Sequence, residues 1–182
     1  KYKGMVALDD PLRAGPLSGM LAGLKEYWKN DAKWTGYIKG LKALNVTVHK
    51  STSAMFRLLI AGEYSISMPA LLHDVIEEKE KGSPVDFVKS AAPIISAQQL
   101  GIYGKAPHIN GAKLFTEWMM TPEGQLAVSA VGREVSRKGV KSKASIEYAW
   151  GANVKPIPSV NKTYSEDPRK WLDANVKPLW EN

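Results

Sequence analysis

Three consecutive hydroxyl side chains, Ser51, Thr52 and Ser53, have the type and spacing that suit the binding of a ligand. They follow residues 46–49, a β-branched run typical of a strand, and they precede apolar residues at helical spacing. A strand that leads into a helix start presents free backbone N–H groups, hydroxyl donors and the positive end of the helix dipole. Such a site suits a carboxylate, a phosphate or another small anion. The plainer alternative is that these hydroxyls only cap the helix.

A second candidate helix start lies near the beginning of the chain. Residues 4–8 form a short apolar run that predicts a buried strand, and Ser18, followed by Gly19, is predicted as the N-cap of the next helix. Helices that follow the strands of an open parallel sheet begin at the same edge, so we expect Ser18, Gly19 and the hydroxyls at 51–53 to face one crevice. Arg13, in the loop before Ser18, is assigned to the same anion-binding site.

The hydrophobic pattern predicts the α/β fold class, with a mostly parallel sheet flanked by helices. Residues 46–68 are predicted as a β-α-β unit, because Gly62 ends the helical spacing and strand-like alternation follows over 64–68. A crossover of that length implies parallel strands in one sheet. Further helices are predicted over 31–44 and from Pro69 to Gly82, and strands over 85–89 and 98–103, on either side of the apolar segment 91–95.

The carboxy-terminal half is predicted to be largely helical. Residues 105–125 suggest a loop, an amphipathic helix and a second helix capped by Thr121. The inward face of the amphipathic helix is predicted to comprise Ala112, Phe115, Trp118 and Met119. Residues 151–158 are predicted as a loop, and the chain ends in a helix capped near Asp167. The side chains expected to face inward there are Trp171, Leu172 and Val176.

The composition excludes several classes of protein. Apolar residues make up 44% and charged residues 24%, which is ordinary for a globular chain, and the absence of cysteine excludes disulfides, thiolate metal sites and a cysteine nucleophile. The net charge of +7 raises the question of nucleic acid. However, the basic residues alternate with acids along helices, and the densest cluster, 133–143, lacks aromatic residues that could stack on bases. We therefore expect no nucleic-acid partner.

No catalytic or metal-binding pattern stands out. The three histidines, His49, His73 and His108, lie in separate segments, and no P-loop, HExxH, nucleophile elbow or dinucleotide fingerprint is present. His73 and Glu77 lie one helical turn apart and could both touch a metal, but two ligands without a third do not define a site. We expect no enzyme activity, no metal and no cofactor.

The most specific segment, residues 105–125, reads KAPHINGAKLFTEWMMTPEGQ. It resembles extracellular solute-binding proteins of ABC importers, in the branch that includes ferric-iron-binding proteins, where a lysine-alanine-proline loop precedes a helix of the type AAKLFIEFLLSPEGQ. Three other features agree in order and spacing, so that the resemblance covers essentially the whole chain. They are the opening KYKGMVALDDP with Ser18-Gly19, the step Ala61-Gly62-Glu63 before a strand, and the terminal aromatic helix near Trp171 and Trp180.

The resemblance implies a periplasmic-binding-protein-like fold of type 2, in which two α/β lobes close on a ligand and deliver it to a membrane permease. It implies a periplasmic or extracellular location, with or without a membrane tether. Carried over by position, Ser18-Gly19 and the helix start at 51–53 are ligand-facing edges. Residues 1–182 are expected to form one α/β unit, the second lobe, and residues 93–132 to pack on a first lobe. If that surface is uncovered, we expect the isolated chain to form a homodimer and to bind ligand weakly.

One departure from the resembling proteins bears on the ligand. The ferric-binding relatives place two adjacent tyrosines shortly after the glycine-glutamate step and its strand, whereas residues 68–73 here read MPALLH. Phenolates are hard oxygen donors that suit ferric iron, and leucine cannot replace them. We therefore expect an organic acid, a phosphorylated compound or another small anion. The alternatives are the effector-sensing domain of a transcription regulator, which would require an upstream helix-turn-helix, or an enzyme of unknown class.

Overall fold

The computed structural model describes residues 1–90, 93–96, 99–151, 153–159 and 161–181, without the side chain of Tyr148. These residues form a mixed α/β protein with short parallel sheets. The strands are β1 (Val6–Asp9), β2 (Thr47–His49), β3 (Ile66–Met68), β4 (Ile94–Ile95) and β5 (Ile157–Pro158). The helices are α1 (Pro16–Trp28), α2 (Asp31–Ala43), α3 (Thr52–Ile60), α4 (Leu72–Glu80), α5 (Ile109–Met119), α6 (Pro122–Ala130), α7 (Ile146–Trp150), α8 (Lys162–Glu166), α9 (Pro168–Asn175) and α10 (Lys177–Trp180).

The first three strands form one parallel sheet in the order β2-β1-β3. β1 is central and every one of its residues is buried, which agrees with its continuous apolar sequence. The chain crosses from β1 to β2 in one direction and from β2 past β1 to β3 in the other. Because such crossovers are right-handed, α1 and α2 lie on one face of the sheet and α3 on the other. The predicted β-α-β unit and its parallel strands are confirmed.

The main core lies on the α1–α2 face of the sheet. Its buried side chains are Leu8, Leu17, Leu21, Ala22, Leu24, Trp34, Ile38, Ile157, Tyr164, Trp171, Leu172 and Val176. The Trp34 indole N–H donates to the Leu21 carbonyl at 2.9 Å, so the buried polar atom of this large side chain is satisfied. The rings of Trp34 and Trp171 meet edge to face, which fixes α9 over α2. The predicted inward face of the terminal helix is therefore confirmed.

The predicted helix boundaries agree with the structure where the sequence contains a clear capping residue. Asp167 caps α9 by accepting a hydrogen bond from the Lys170 N–H at 3.0 Å, and Thr121 caps α6 in the same way. The predicted helix over 31–44 is observed as α2, after which Asn45 has a left-handed φ of 52°. Gly62 has a φ of +84° and follows the end of α3, as predicted from its position.

Other predicted boundaries are wrong. α1 begins at Pro16 rather than after Ser18, because proline at the first helical position is already restricted to the helical φ. α4 begins at Leu72, three residues after Pro69. Residues 85–89 form no strand, since their alternation has no neighbouring strand to pair with among the described residues. A strand was also predicted over 98–103, but residues 99–103 form no strand. Residue 98, and residues 91 and 92 of the predicted apolar segment, lie outside the described residues.

A second, two-stranded parallel sheet pairs β4 with β5. β5 lies where a loop was predicted for 151–158, because Pro156 and Pro158 suppressed the strand signal. The sheet packs on α1 where Gly23 faces Pro158. α5 and α6 form an adjacent helical pair, and no residue of α5 is buried, so the face predicted to point inward is largely exposed at Phe115 and Trp118.

Candidate functional site

The carboxyl edge of the three-stranded sheet is the candidate site. β1 and β2 end side by side, with Asp9 paired to His49, and the Asp10 N–H donates to the His49 carbonyl at 3.1 Å. β3 ends at Met68, which is paired with Leu8. Since the three strands are parallel, the loops that follow them leave from one edge, which is where open α/β sheets bind ligands.

The start of α3 presents two serines with different roles. Ser51 is the N-cap, with an extended backbone (φ −137°, ψ 114°), and its Oγ accepts a hydrogen bond from the Ala54 N–H at 3.3 Å. The capping interpretation is therefore confirmed for Ser51. Thr52 is half-buried, whereas Ser53 is exposed and its hydroxyl makes no hydrogen bond to any described residue. Ser53 and the first backbone N–H groups of α3 are thus free to meet a ligand.

Ser18 and Gly19 lie inside the protein rather than on this edge. Ser18 is the third residue of α1 and is fully buried, and its Oγ accepts a hydrogen bond from the Gly15 N–H at 2.9 Å. The same Oγ lies 2.7 Å from the Tyr164 Oη, so the hydroxyl joins α1 to α8. Gly19 is buried in the first turn of α1. The structure therefore brings Arg13 and the hydroxyls at 51–53 to the edge, and leaves Ser18 and Gly19 beneath it.

A buried carboxylate at the end of β1 adds a group that the sequence analysis did not assign to the site. Asp9 is 1% exposed, its Oδ1 accepts a hydrogen bond from Arg13 Nη2 at 2.7 Å, and its Oδ2 has no hydrogen-bond partner among the described residues. A buried carboxylate requires a nearby positive charge, and Arg13, whose side chain is 45% exposed, supplies it. The available signal was an acid that ends an apolar run, with an arginine four residues later.

His49, the last residue of β2 at this edge, forms a half-buried pair with Tyr64, which precedes β3. The His49 Nε2 and the Tyr64 Oη are 3.2 Å apart, and the rings meet edge to face. Residues 68–73, at and after the end of β3, include a cis Met68–Pro69 bond and an exposed Leu71. These residues offer no phenol to a metal.

A cavity lies between α4 and residues 129–143. It has a volume of about 750 Å³, and its lining includes His73, Glu77 and Lys141. Burial lowers the pKa of His73 more than the neighbouring Asp74 raises it, so the imidazole is mostly neutral near pH 7. Its Nε2 lies 3.0 Å from Asp74 Oδ1, but without the geometry of a hydrogen bond. Within the described ranges, no three acidic or histidine side chains are grouped as metal ligands.

The chain matches no known protein-family model. It is 30% identical over 128 residues to a Haemophilus influenzae protein that is described only as uncharacterized. That match covers 69% of this chain but 36% of the Haemophilus protein, so the chain spans little more than a third of this relative's length. In the part of the chain that the structure describes, no helix is both long and apolar enough to cross a bilayer.

Proposed function

We propose that this chain is a solute-binding lobe of type 2 from an ABC import system, and that it captures a small anion at the carboxyl edge of its parallel sheet. One observation supports the proposal most directly. The start of α3, with the exposed Ser53, lies at the same edge as the half-exposed guanidinium of Arg13. Together they offer backbone N–H groups, a hydroxyl donor, the helix dipole and a positive charge to one negatively charged group.

The open form of this edge supports a two-wall site. Ligand sites in proteins bury most of the ligand surface, whereas the edge residues Arg13, Ser51 and Ser53 are all exposed. A second wall is needed to bury the rest of the ligand surface. In the two-lobed solute-binding proteins that the sequence resembles, the other lobe forms this wall. The proposed partners are therefore a small anionic solute and a membrane permease, and the proposed location is the periplasm or the cell exterior.

Ferric iron is not the proposed solute. The segment after β3 carries Leu71 and Leu72 where a phenolate pair would be needed. Phenolate coordination of ferric iron produces a visible charge-transfer band, so a coloured product on adding ferric iron to the protein would contradict this part of the proposal.

The test begins with native mass spectrometry of the purified protein, to detect a solute that co-purifies. Calorimetry with that solute then compares the wild type with Ser53→Ala and Arg13→Gln, both of which should weaken binding by about 1–3 kcal/mol, the scale of a hydrogen bond to a charged group. Ser65→Ala is the matched control, because Ser65 is an exposed serine just before the amino end of β3. Equal affinities of the wild type and both site variants would refute the sheet edge as the site.

A further inference from the structure

A small polar niche lies between the end of β1 and the start of α1. It is bounded by Asp9 Oδ2, by Arg13 and by Gly15, the N-cap of α1. A Cβ atom built on Gly15 would lie 3.5 Å from Asp9 Oδ2 and 4.0 Å from Arg13 Nη2. The absence of a side chain at Gly15 therefore leaves an acceptor and a donor facing the same small volume.

The unpartnered Asp9 Oδ2 is the unusual feature of this niche. Buried polar atoms are nearly always hydrogen-bonded, and an unpaired buried carboxylate oxygen costs more free energy than a neutral one. The donors at the start of α1 already have other partners: the Gly15 N–H donates to Ser18 Oγ, and the Ser18 hydroxyl lies within hydrogen-bond distance of the Gly15 carbonyl and the Tyr164 Oη. The neighbouring Asp10 carboxylate accepts the Leu12 N–H and has no proton to donate when ionised. No donor among the described residues reaches Asp9 Oδ2.

A hydroxyl group matches the two sides of the niche. It donates one hydrogen bond, which Asp9 Oδ2 can accept, and it accepts one, which Arg13 Nη2 can donate. The other N–H groups of the Arg13 guanidinium, whose side chain is 45% exposed, remain available to a negative charge on the same molecule. A ligand that carries a hydroxyl and a negative charge would thus bind Nη2 through its hydroxyl and the other guanidinium N–H groups through its charge.

We propose that the solute is a hydroxylated anion, with Asp9 and Arg13 binding its hydroxyl group beside Gly15. The inference rests on the proposed function, since it assigns the specificity of the same sheet edge. Entry of the hydroxyl requires a small shift of the exposed Arg13 side chain, because Asp9 Oδ2 is buried. Asp9 is the residue that separates hydroxylated anions from plain ones, because an analogue without the hydroxyl leaves its carboxylate oxygen unpaired.

Two matched pairs of anions test the proposal by calorimetry on the 182-residue chain. They are malate against succinate and glycerol 3-phosphate against propyl phosphate, and the members of each pair differ in their hydroxyl groups. In at least one pair, we expect the hydroxylated member to bind at least about tenfold more tightly. Gly15→Ala should abolish this preference by filling the niche. Its backbone is extended (φ 177°), so alanine fits without strain. Asp9→Asn should reduce the preference as well.

Gly36→Ala is the control, since no atom lies within 4 Å of the added Cβ, and thermal unfolding verifies that each variant folds. Equal binding of both members in each pair, or a preference that survives Gly15→Ala in a folded protein, would overturn the inference and leave the anion site standing. If none of the four anions binds at millimolar concentration, the inference of a hydroxylated anion is overturned, and the anion site is then decided separately by Ser53→Ala and Arg13→Gln with the co-purified solute.

Discussion

Ser51 and Ser53 are two residues apart and differ in what their hydroxyls contact. The Ser51 hydroxyl satisfies the Ala54 N–H, and that of Ser53 has no partner among the described residues. Ser51→Ala should therefore lower the free energy of unfolding by about 0.5–2 kcal/mol, as loss of an N-cap does, whereas Ser53→Ala should leave it nearly unchanged. Urea denaturation without ligand measures both. An equal loss in the two variants would show that Ser53 is also structural and would remove it from the site.

His73 should make the protein less stable in mild acid. Burial lowers the pKa of His73 in the folded chain, so the unfolded chain takes up a proton at a higher pH than the folded one. Stability is then lost as the pH falls through the ordinary histidine value. His73→Gln should flatten the dependence of the unfolding free energy on pH between about pH 7 and about pH 5.

The control for this measurement is His108→Gln, because His108 lies in an exposed position at the start of α5. The comparison uses the slope with pH, since removal of a half-buried ring can also shift stability at every pH. A slope that His73→Gln leaves unchanged would mean that other groups carry the acid sensitivity.

At the scale of elements, α1 and β5 meet at a position that tolerates no side chain. A Cβ on Gly23 would lie 2.1 Å from the carbonyl oxygen of Pro158. Gly23→Ala should therefore force α1 and β5 apart and cost about 1–3 kcal/mol, the scale of overpacking. Gly36→Ala in α2, where the added methyl meets nothing within 4 Å, should instead stabilise by about 0.5–1 kcal/mol through helix propensity. Thermal melts that shift in the same direction for both variants would contradict this packing.

The β-α-β unit, the caps at Ser51, Thr121 and Asp167, and the inward face of α9 follow from local patterns and could be predicted. The pairing of Ile94 with Ile157 could not, because the two strands have two residues each and lie far apart in the chain. The burial of Ser18 also depends on a distant partner, the Tyr164 hydroxyl. For the proposed site, the placement of Arg13 and of the hydroxyls at 51–53 after the ends of β1 and β2 could be predicted, but the pairing of Asp9 with Arg13 required the positions of both side chains.

At the scale of the whole molecule, α5 presents an uncovered apolar face. Leu114, Phe115 and Trp118 are 68%, 53% and 41% exposed. Their helical positions place them on one side, and an apolar surface of this kind promotes association. The chain should therefore show a concentration-dependent mass above that of one copy in light scattering. The double variant Phe115→Ser and Trp118→Ser should return it to one copy.

Val88→Ser is the control for this prediction, since Val88 is 87% exposed but lies in a loop before β4 and is not part of α5. Association that persists in the double variant, or that Val88→Ser also removes, would assign the contact to another surface.

β1 is the central strand of the first sheet, and α9 follows much later in the sequence. Together these positions determine the order in which the elements can fold during synthesis. A chain leaving the ribosome has all the strands of its first sheet once Met68 has emerged, so β2, β1 and β3 can pair early. The layer formed by α1 and α2 must wait, because Trp171 and Val176, which cover it, are synthesised long after β3. A nascent chain stalled before α9 thus exposes Trp34 and Leu21 and is the form that chaperones and proteases should recognise.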